Sequence, residues 1–301
     1  MEQSPIAVRI WPYLQERFPL GKHGPLIAAF AFAAISLSRE ARGAAGFVSA
    51  SQFLAAFGFC FIFFLHLRIA DEHKDAEEDL AVRPHLPVPR GLVTLHELRI
   101  FGLFMGVFQV AILAYYPAII GLALMAYAYQ WLMYHEFFAP AFLKRSLPLY
   151  TLSHMAILPL ADVVSSGFDW AVAAQAFPLP FLWIFGLSYS NGLVLEIGRK
   201  IRHSSQEEAG YATYSSLFGG QRATLLWAGC MALNLLFVGI ICAQFYSASF
   251  LIVMLGIGLL SCFPALLFYL APSPVRSKAL EAASGIWALG MYVALGVAHY
   301  I

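Results

Sequence analysis

"FFLHLRIADEHKDAEEDLAVRP", residues 63–84, runs an apolar segment straight into the densest acidic cluster of the chain. The apolar run ends at Leu67, and the carboxylates begin at Asp71. Either the acids are a solvated helix end, or carboxylates at this depth hold a metal. The run itself decides the fold class. The chain has 301 residues, 60% hydrophobic and 12% charged, where soluble domains carry roughly 25% charged residues. Several of its apolar runs reach the ~20 residues a helix needs to cross a hydrocarbon core of about 30 Å. Lipid offers no partner for backbone N–H and C=O groups, so such spans are helical. The reading is an all-α membrane protein.

Working outward, apolar runs between charged or Pro/Gly-rich breaks give nine spans, near 24–38, 47–70, 97–114, 116–134, 148–166, 170–197, 222–244, 248–271 and 279–300. Residues 1–23 form an amphipathic segment. Its start, "MEQSPIAVRIWPYLQERFPL", has two Arg residues and no small-residue cleavage site, and reads as an interfacial helix. With nine spans, one side receives 16 of the 18 Lys and Arg residues, and the other keeps Arg39 and Arg42. That asymmetry predicts a cytoplasmic N-terminus, with the long polar loops 71–96 and 198–221 on the same side. Cys60, Cys230, Cys242 and Cys262 fall inside apolar runs with no CxxC pair, which argues against a zinc site or a disulfide framework. No basic stripe points to nucleic acid.

Asp71, Asp75 and Asp79 stand at i, i+4 and i+8, one drifting face of a continuous helix. Three carboxylates on one stripe repel unless cations neutralise them. Mg²⁺ suits the pattern, because it takes oxygen ligands and bridges carboxylates to phosphates. The plainer alternative is a solvated helix end with internal pairs, Arg68–Asp71 and Lys74–Glu78. Among intramembrane polar residues, His154 and Asp162 lie two turns apart and can face each other, and Asn191 precedes Glu196.

"DEHKDAEED" (71–79) resembles the NDxxDxxxD motif of the UbiA-type intramembrane prenyltransferase superfamily, with Asp71 in the Asn place and Glu72, Asp75 and Asp79 in the Asp places. "RPHLPVPRGLVT" (83–94) is similar to that superfamily's Arg- and Pro-rich continuation. "AFLKRS" (141–146) resembles its Lys-Arg pair, and "LVLEIGRKIRHSSQEEAGYATYSSLFG" (193–219) its second acidic motif. The second motif departs from the pattern: Glu196 holds the first acidic place, while Lys200 and Ser204 occupy the next two. Glu207 and Glu208 stand nearby.

The resemblance implies one UbiA-like transmembrane domain over 1–301, with nine helices around a central apolar cavity opening to the cytoplasmic side. It implies an integral, multi-pass protein of the bilayer that ionises an isoprenyl diphosphate with Mg²⁺ and transfers the prenyl group to an aromatic or lipid acceptor. Catalysis would rest on Asp71, Asp75, Asp79 and Glu196, and metal binding on Asp71, Glu72, Asp75, Asp79, Glu196 and Glu208. The diphosphate would be held by Arg68, Lys144, Arg145, Asn191, Arg199 and Lys200. Two rivals stand beside this: a terpene cyclase of the same superfamily, with no acceptor, and a cation transporter using His154 and Asp162, which would require inverted repeats and broken helices at midplane.

Overall fold

The computed structural model describes residues 5–301, and among these every regular element is helical. The first four residues of the expected 1–23 segment lie outside the described residues. The rest divides at Pro19. Helix α1 spans Ile6–Arg17, and α2, Leu20–Ala41, already belongs to the bundle. On α1, Tyr13 and Leu14 turn inward and Trp11 outward, the two-faced pattern of an interfacial helix.

Next come α3 (Ala50–Lys74), α4 (Ala76–Val82), α5 (Leu95–Tyr115) and α6 (Ile120–Tyr134). Capping boxes start α3 (Ser49 with Gln52) and α5 (Thr94 with Glu97), each satisfying amide donors that a helix start leaves open. Arg9 of α1 grips the same Glu97, which ties the N-terminal helix to the bundle. A short helix α7 (Pro140–Leu143) leads to α8 (Leu147–Met155) and α9 (Ile157–Trp170). The remainder is α10 (Leu182–Arg199), α11 (Tyr214–Phe218), α12 (Gly220–Phe245), α13 (Ala248–Ser261), α14 (Phe263–Leu270) and α15 (Pro274–Ala298).

Among the described residues, eight segments are long and apolar enough to cross a bilayer, counting α8–α9 and α13–α14 as one segment each. Both compound segments bend for the same reason: Pro159 and Pro264 lack the N–H that would bond back across the joints at Ala156 and Cys262. The span expected at 116–134 is a 3₁₀ turn, Pro117–Ile119, followed by α6. Its 15 α-helical residues rise about 22 Å, short of a full crossing alone. The span expected at 170–197 begins later, because Ala171–Pro178 forms a loop before a 3₁₀ turn at Leu179–Phe181.

Packing sets α10 against α12, α15 and α9, and α2 against α15, α9 and α3. Two buried polar side chains tie these helices to their neighbours. Asn234 donates to Leu187 O (3.0 Å) and Ser190 Oγ (3.1 Å) and accepts from Trp287 Nε1 (2.9 Å). Asp169 accepts from Ser38, Arg39 and Arg42. Arg39 and Arg42, the two basic residues set apart from the other sixteen in the sequence, therefore share one buried carboxylate.

Candidate functional site

The acid stripe is not straight. Asp75 is at once the C-terminal cap of α3 and the N-terminal cap of α4, with φ −98° and ψ 9°. This break splits the acids into two groups. Asp71 stays half-exposed, with Arg68 Nη2 at 3.2 Å and Lys74 Nζ at 3.9 Å. Glu72 and Asp79 turn inward and are almost fully buried. Arg17 of α1 reaches between them, with Nε 2.5 Å from Glu72 and Nη2 3.9 Å from Asp79. Arg68 Nε lies 3.6 Å from Glu72, and Arg83 pairs with Asp79. The Arg68–Asp71 pair expected from spacing is present. Lys74 pairs elsewhere, and Glu78 meets Lys144 at 3.7 Å.

Of Asp71, Glu72, Asp75 and Asp79, Asp75 alone has no ion pair among the described residues. Burial pushes its carboxyl up to about 6, with Lys74 opposing and Asp71, Asp79 and Glu78 reinforcing the shift. A carboxyl crowded by like charges and short of a cation is poised for a dication.

Lys74 organises a cluster that spacing did not reveal. Its Nζ donates to Tyr150 Oη at 2.6 Å and lies 3.2 Å from Glu136 Oε1. His154 stacks on Tyr150 with ring centroids 3.8 Å apart and sets Nε2 3.6 Å from Glu136 Oε2. Glu136, Phe137 and Phe138 all have φ between 49° and 57°. Three successive non-glycine residues in the left-handed region store strain that the surroundings must hold, and here they deliver a buried glutamate to Lys74. The one advance signal was that Lys74 sits inside the motif. His154 meets Glu136 rather than Asp162, because the joint at Ala156 separates those two.

The second motif closes from the opposite side. Glu196, in the last turn of α10, is held by Arg199 Nε at 2.6 Å and Lys200 Nζ at 3.0 Å. Lys200 is buried and Arg199 half-exposed, near enough to sense Asp71. Glu207 accepts from Thr213 and Ser215, and Glu208 pairs with Arg202 at 3.1 Å, so neither joins Glu196. Tyr211 links the two loops: Arg83 lies 4.3 Å from its ring centre, Arg202 5.6 Å and Lys200 6.0 Å. Gly210, at φ +85°, brings that backbone against Val82, where a Cβ would sit 3.2 Å from the valine side chain.

Three expected diphosphate residues lie outside this ring. Lys144 and Arg145 are exposed on the following loop. Asn191 is buried in the bundle interior beside Tyr292.

Among the described residues no three His, Cys, Asp or Glu side chains come together as a metal cluster. The donor chemistry still fits one Mg²⁺, which needs one or two carboxylates plus substrate phosphates; Asp71 and Asp75 offer that pair. Glu72, Asp79 and Glu196 are already matched by guanidinium or ammonium groups. The site therefore sets Asp75, which has no ion pair among the described residues, and the partly exposed Asp71 near Lys74 and Arg199, with Arg199 and Lys200 both on Glu196.

The UbiA prenyltransferase family profile matches residues 26–289. No curated protein matches the chain by sequence. Among solved structures, one reported for digeranylgeranylglyceryl phosphate synthase in membranes is similar at TM-score 0.61 and 13% identity, covering 97% of this chain and 99% of that one. An apo structure of a UbiA homolog from Aeropyrum pernix K1 is similar at TM-score 0.63 and 14% identity, covering 92% and 96%. At these identities the likeness shows the fold.

Proposed function

Because the chain belongs to the UbiA prenyltransferase family, we propose that this integral membrane protein ionises an isoprenyl diphosphate at the mouth between Asp71–Asp75 and Glu196–Lys200. The prenyl group passes to an aromatic or lipid acceptor. The observation that carries the reading is Asp75, a motif carboxylate with no ion pair among the described residues, next to Asp71, which Lys74 and Arg199 both approach, while Arg199 and Lys200 hold Glu196. The sixteen-to-two distribution of Lys and Arg supports a cytoplasmic mouth, with α6 and its 3₁₀ turn as a ninth crossing.

Mg²⁺, bound through Asp71 and Asp75, would supply charge neutralisation to the diphosphate. The chain's own cations do the rest. Negative charge grows on the leaving diphosphate as its bond to the prenyl carbon breaks, so Lys74, Arg199 and Lys200 stabilise the transition state more than the ground state. One well-aimed donor of this kind contributes roughly 10²–10³ in rate. Tyr150 and Glu136 hold Lys74 in place, and Glu196 holds Arg199 and Lys200. Lys200 stands where the superfamily motif has an acid, so the second cluster contributes ammonium charge directly, and we expect one metal rather than two.

The altered second motif also favours the cyclase as the alternative reading. Purified protein with geranyl, farnesyl and geranylgeranyl diphosphates and Mg²⁺ separates the two. Diphosphate release that needs an added aromatic or lipid extract supports transfer; cyclic hydrocarbon without acceptor supports the cyclase. No release under any condition, with Asp75→Ala indistinguishable from wild type, would sink both.

A further inference from the structure

Between α5 and α6 the bundle leaves a groove that the ionisation step does not use. The two helices are joined at one end by the turn Pro117–Ile119, and each packs on α3. Toward their other end a space of about 620 Å³ opens, floored by α3, with Tyr134 of α6 on its rim. This is the end at which the acidic motif stands, since His73 of α3 sets Nε2 3.0 Å from Leu95 O at the start of α5.

Helix periodicity builds the groove. One face of α5, from Arg99 to Val110, forms a wall, and Gly102 and Gly106 hollow it out. His66, Ile69 and His73 come from α3. The face that α3 turns to the groove is not the one that carries Asp71. That residue lies two positions after Ile69 and two before His73, about 200° round the helix from each. The groove is therefore separate from the diphosphate mouth.

Along its length the groove suits hydrocarbon. His66 Nε2 lies 2.8 Å from Gly102 O, and His73 Nδ1 2.8 Å from Ile69 O, so both rings are spent on backbone carbonyls. Among the described residues no carboxylate lines it. Arg99 is exposed, with neither an ion pair nor a hydrogen bond among the described residues. An apolar trough ending in a guanidinium with no acid beside it matches an anionic amphiphile, and a phosphate suits the guanidinium fork best. Length says which amphiphile. Arg99 to Val110 is eleven residues, about 16 Å of helix rise. One leaflet of a hydrocarbon core of about 30 Å is about 15 Å deep. With Arg99 at headgroup level, the trough ends near the bilayer midplane.

We infer that this groove binds an anionic phospholipid of the leaflet on the acidic-motif side, one acyl chain along α5 and the phosphate on Arg99. An isoprenyl diphosphate has a comparable chain and charge. Seated here, however, its reacting carbon would lie on the side of α3 turned away from Asp71.

Native mass spectrometry of the full-length protein in detergent, titrated with palmitoyl-oleoyl phosphatidylglycerol or the matching phosphatidylcholine, tests this. Wild type is expected to bind its first phosphatidylglycerol about fivefold more tightly, the effect of one basic residue on an anionic headgroup. Arg99→Ala brings the preference to near unity, and Arg99→Lys keeps most of it. Lys278→Ala, which removes another exposed cation, leaves it unchanged. Gly106→Leu fills the trough and weakens both lipids. Its Cβ would stand 3.7 Å from His66 Cε1, an ordinary contact, and thermal unfolding checks that the variants fold. Equal binding of the two lipids to wild type overturns the inference. So does a preference that survives Arg99→Ala, or one lost equally in Lys278→Ala, the result expected of diffuse surface charge. Non-ionising farnesyl thiodiphosphate with Mg²⁺ should bind without displacing the phosphatidylglycerol. Displacement would make the groove the seat of the donor chain and overturn the lipid assignment.

Discussion

Replacing Arg17 with Ala removes the guanidinium that α1 inserts between Glu72 and Asp79. At the 3.9 Å separation from Asp79, one unit-charge pair is worth about 4 kcal/mol at an effective dielectric of 20, and Glu72 is nearer at 2.5 Å. Part of this is recovered, because Arg68 stays 3.6 Å from Glu72 and Arg83 stays on Asp79. Breaking a buried pair costs roughly 3–5 kcal/mol when the remaining charge is left alone; with these substitutes in place we expect about 2–3 kcal/mol. Thermal unfolding of the detergent-solubilised protein, followed by helical circular dichroism, reads this loss. The same experiment is repeated with Mg²⁺ and with KCl at matched ionic strength. If the vacated acids accept the dication, Mg²⁺ at 100 times its dissociation constant returns about 2.7 kcal/mol. The variant then gains more from Mg²⁺ than wild type does. A variant as stable as wild type would refute the pairing, and a loss that Mg²⁺ does not relieve would refute the exchange of guanidinium for metal.

Asp75→Asn removes a carboxyl that burial holds up to about 6. Metal-free protein should gain up to about 3 kcal/mol at pH 7 and lose its stabilisation by Mg²⁺, both read by unfolding. Lys200→Asp restores an acid one turn after Glu196, and titration calorimetry with farnesyl thiodiphosphate should then count two Mg²⁺ where wild type takes one. Gly198→Ala places a Cβ 2.5 Å from Ser284 Oγ and 3.2 Å from Trp227 Nε1, forcing α10 away from α15. A loss of about 1–3 kcal/mol in stability is expected, with diphosphate release falling in the same variant because α10 carries Glu196.

Membrane class and most span positions were legible because bilayer thickness writes itself into run length; the spans expected at 116–134 and 170–197 were not, because a 3₁₀ turn and a loop shorten their α-helical runs. The positions of Pro159 and Pro264 mark where two of those runs bend. The break at Asp75 was not legible: acids at four-residue spacing read as one straight stripe. What the spacing omits is that Arg17, 55 residues earlier than Glu72, makes it favourable for Glu72 and Asp79 to turn inward. The Lys74–Tyr150–Glu136–His154 cluster draws on three segments, and only tertiary packing brings them together. Asn191 was expected near Glu196 from their closeness in sequence. Five helical residues amount to about 140° of rotation beyond one turn, so the two side chains leave α10 on different faces. Lys144 and Arg145 had the right residue types, but their loop leaves both exposed.

Under the proposed function, a site that takes Mg²⁺ also matches many of its own acids with arginine and lysine. Glu72, Asp79 and Glu196 each have two cationic partners, and Asp71 has Arg68 and Lys74. Without such pairing, this many carboxylates at a membrane surface would repel one another and unravel the end of α3. In the proposed reaction the incoming diphosphate competes for Lys74, Arg199 and Lys200. Each cation it draws away leaves a carboxylate short of positive charge, raising that carboxylate's affinity for Mg²⁺. Mg²⁺ held there in turn favours the diphosphate, because the coupling between two ligands is reciprocal. Metal and diphosphate therefore bind together more strongly than either binds alone. Prenyl-bond ionisation is then confined to the moment when the mouth is filled and water is displaced from it.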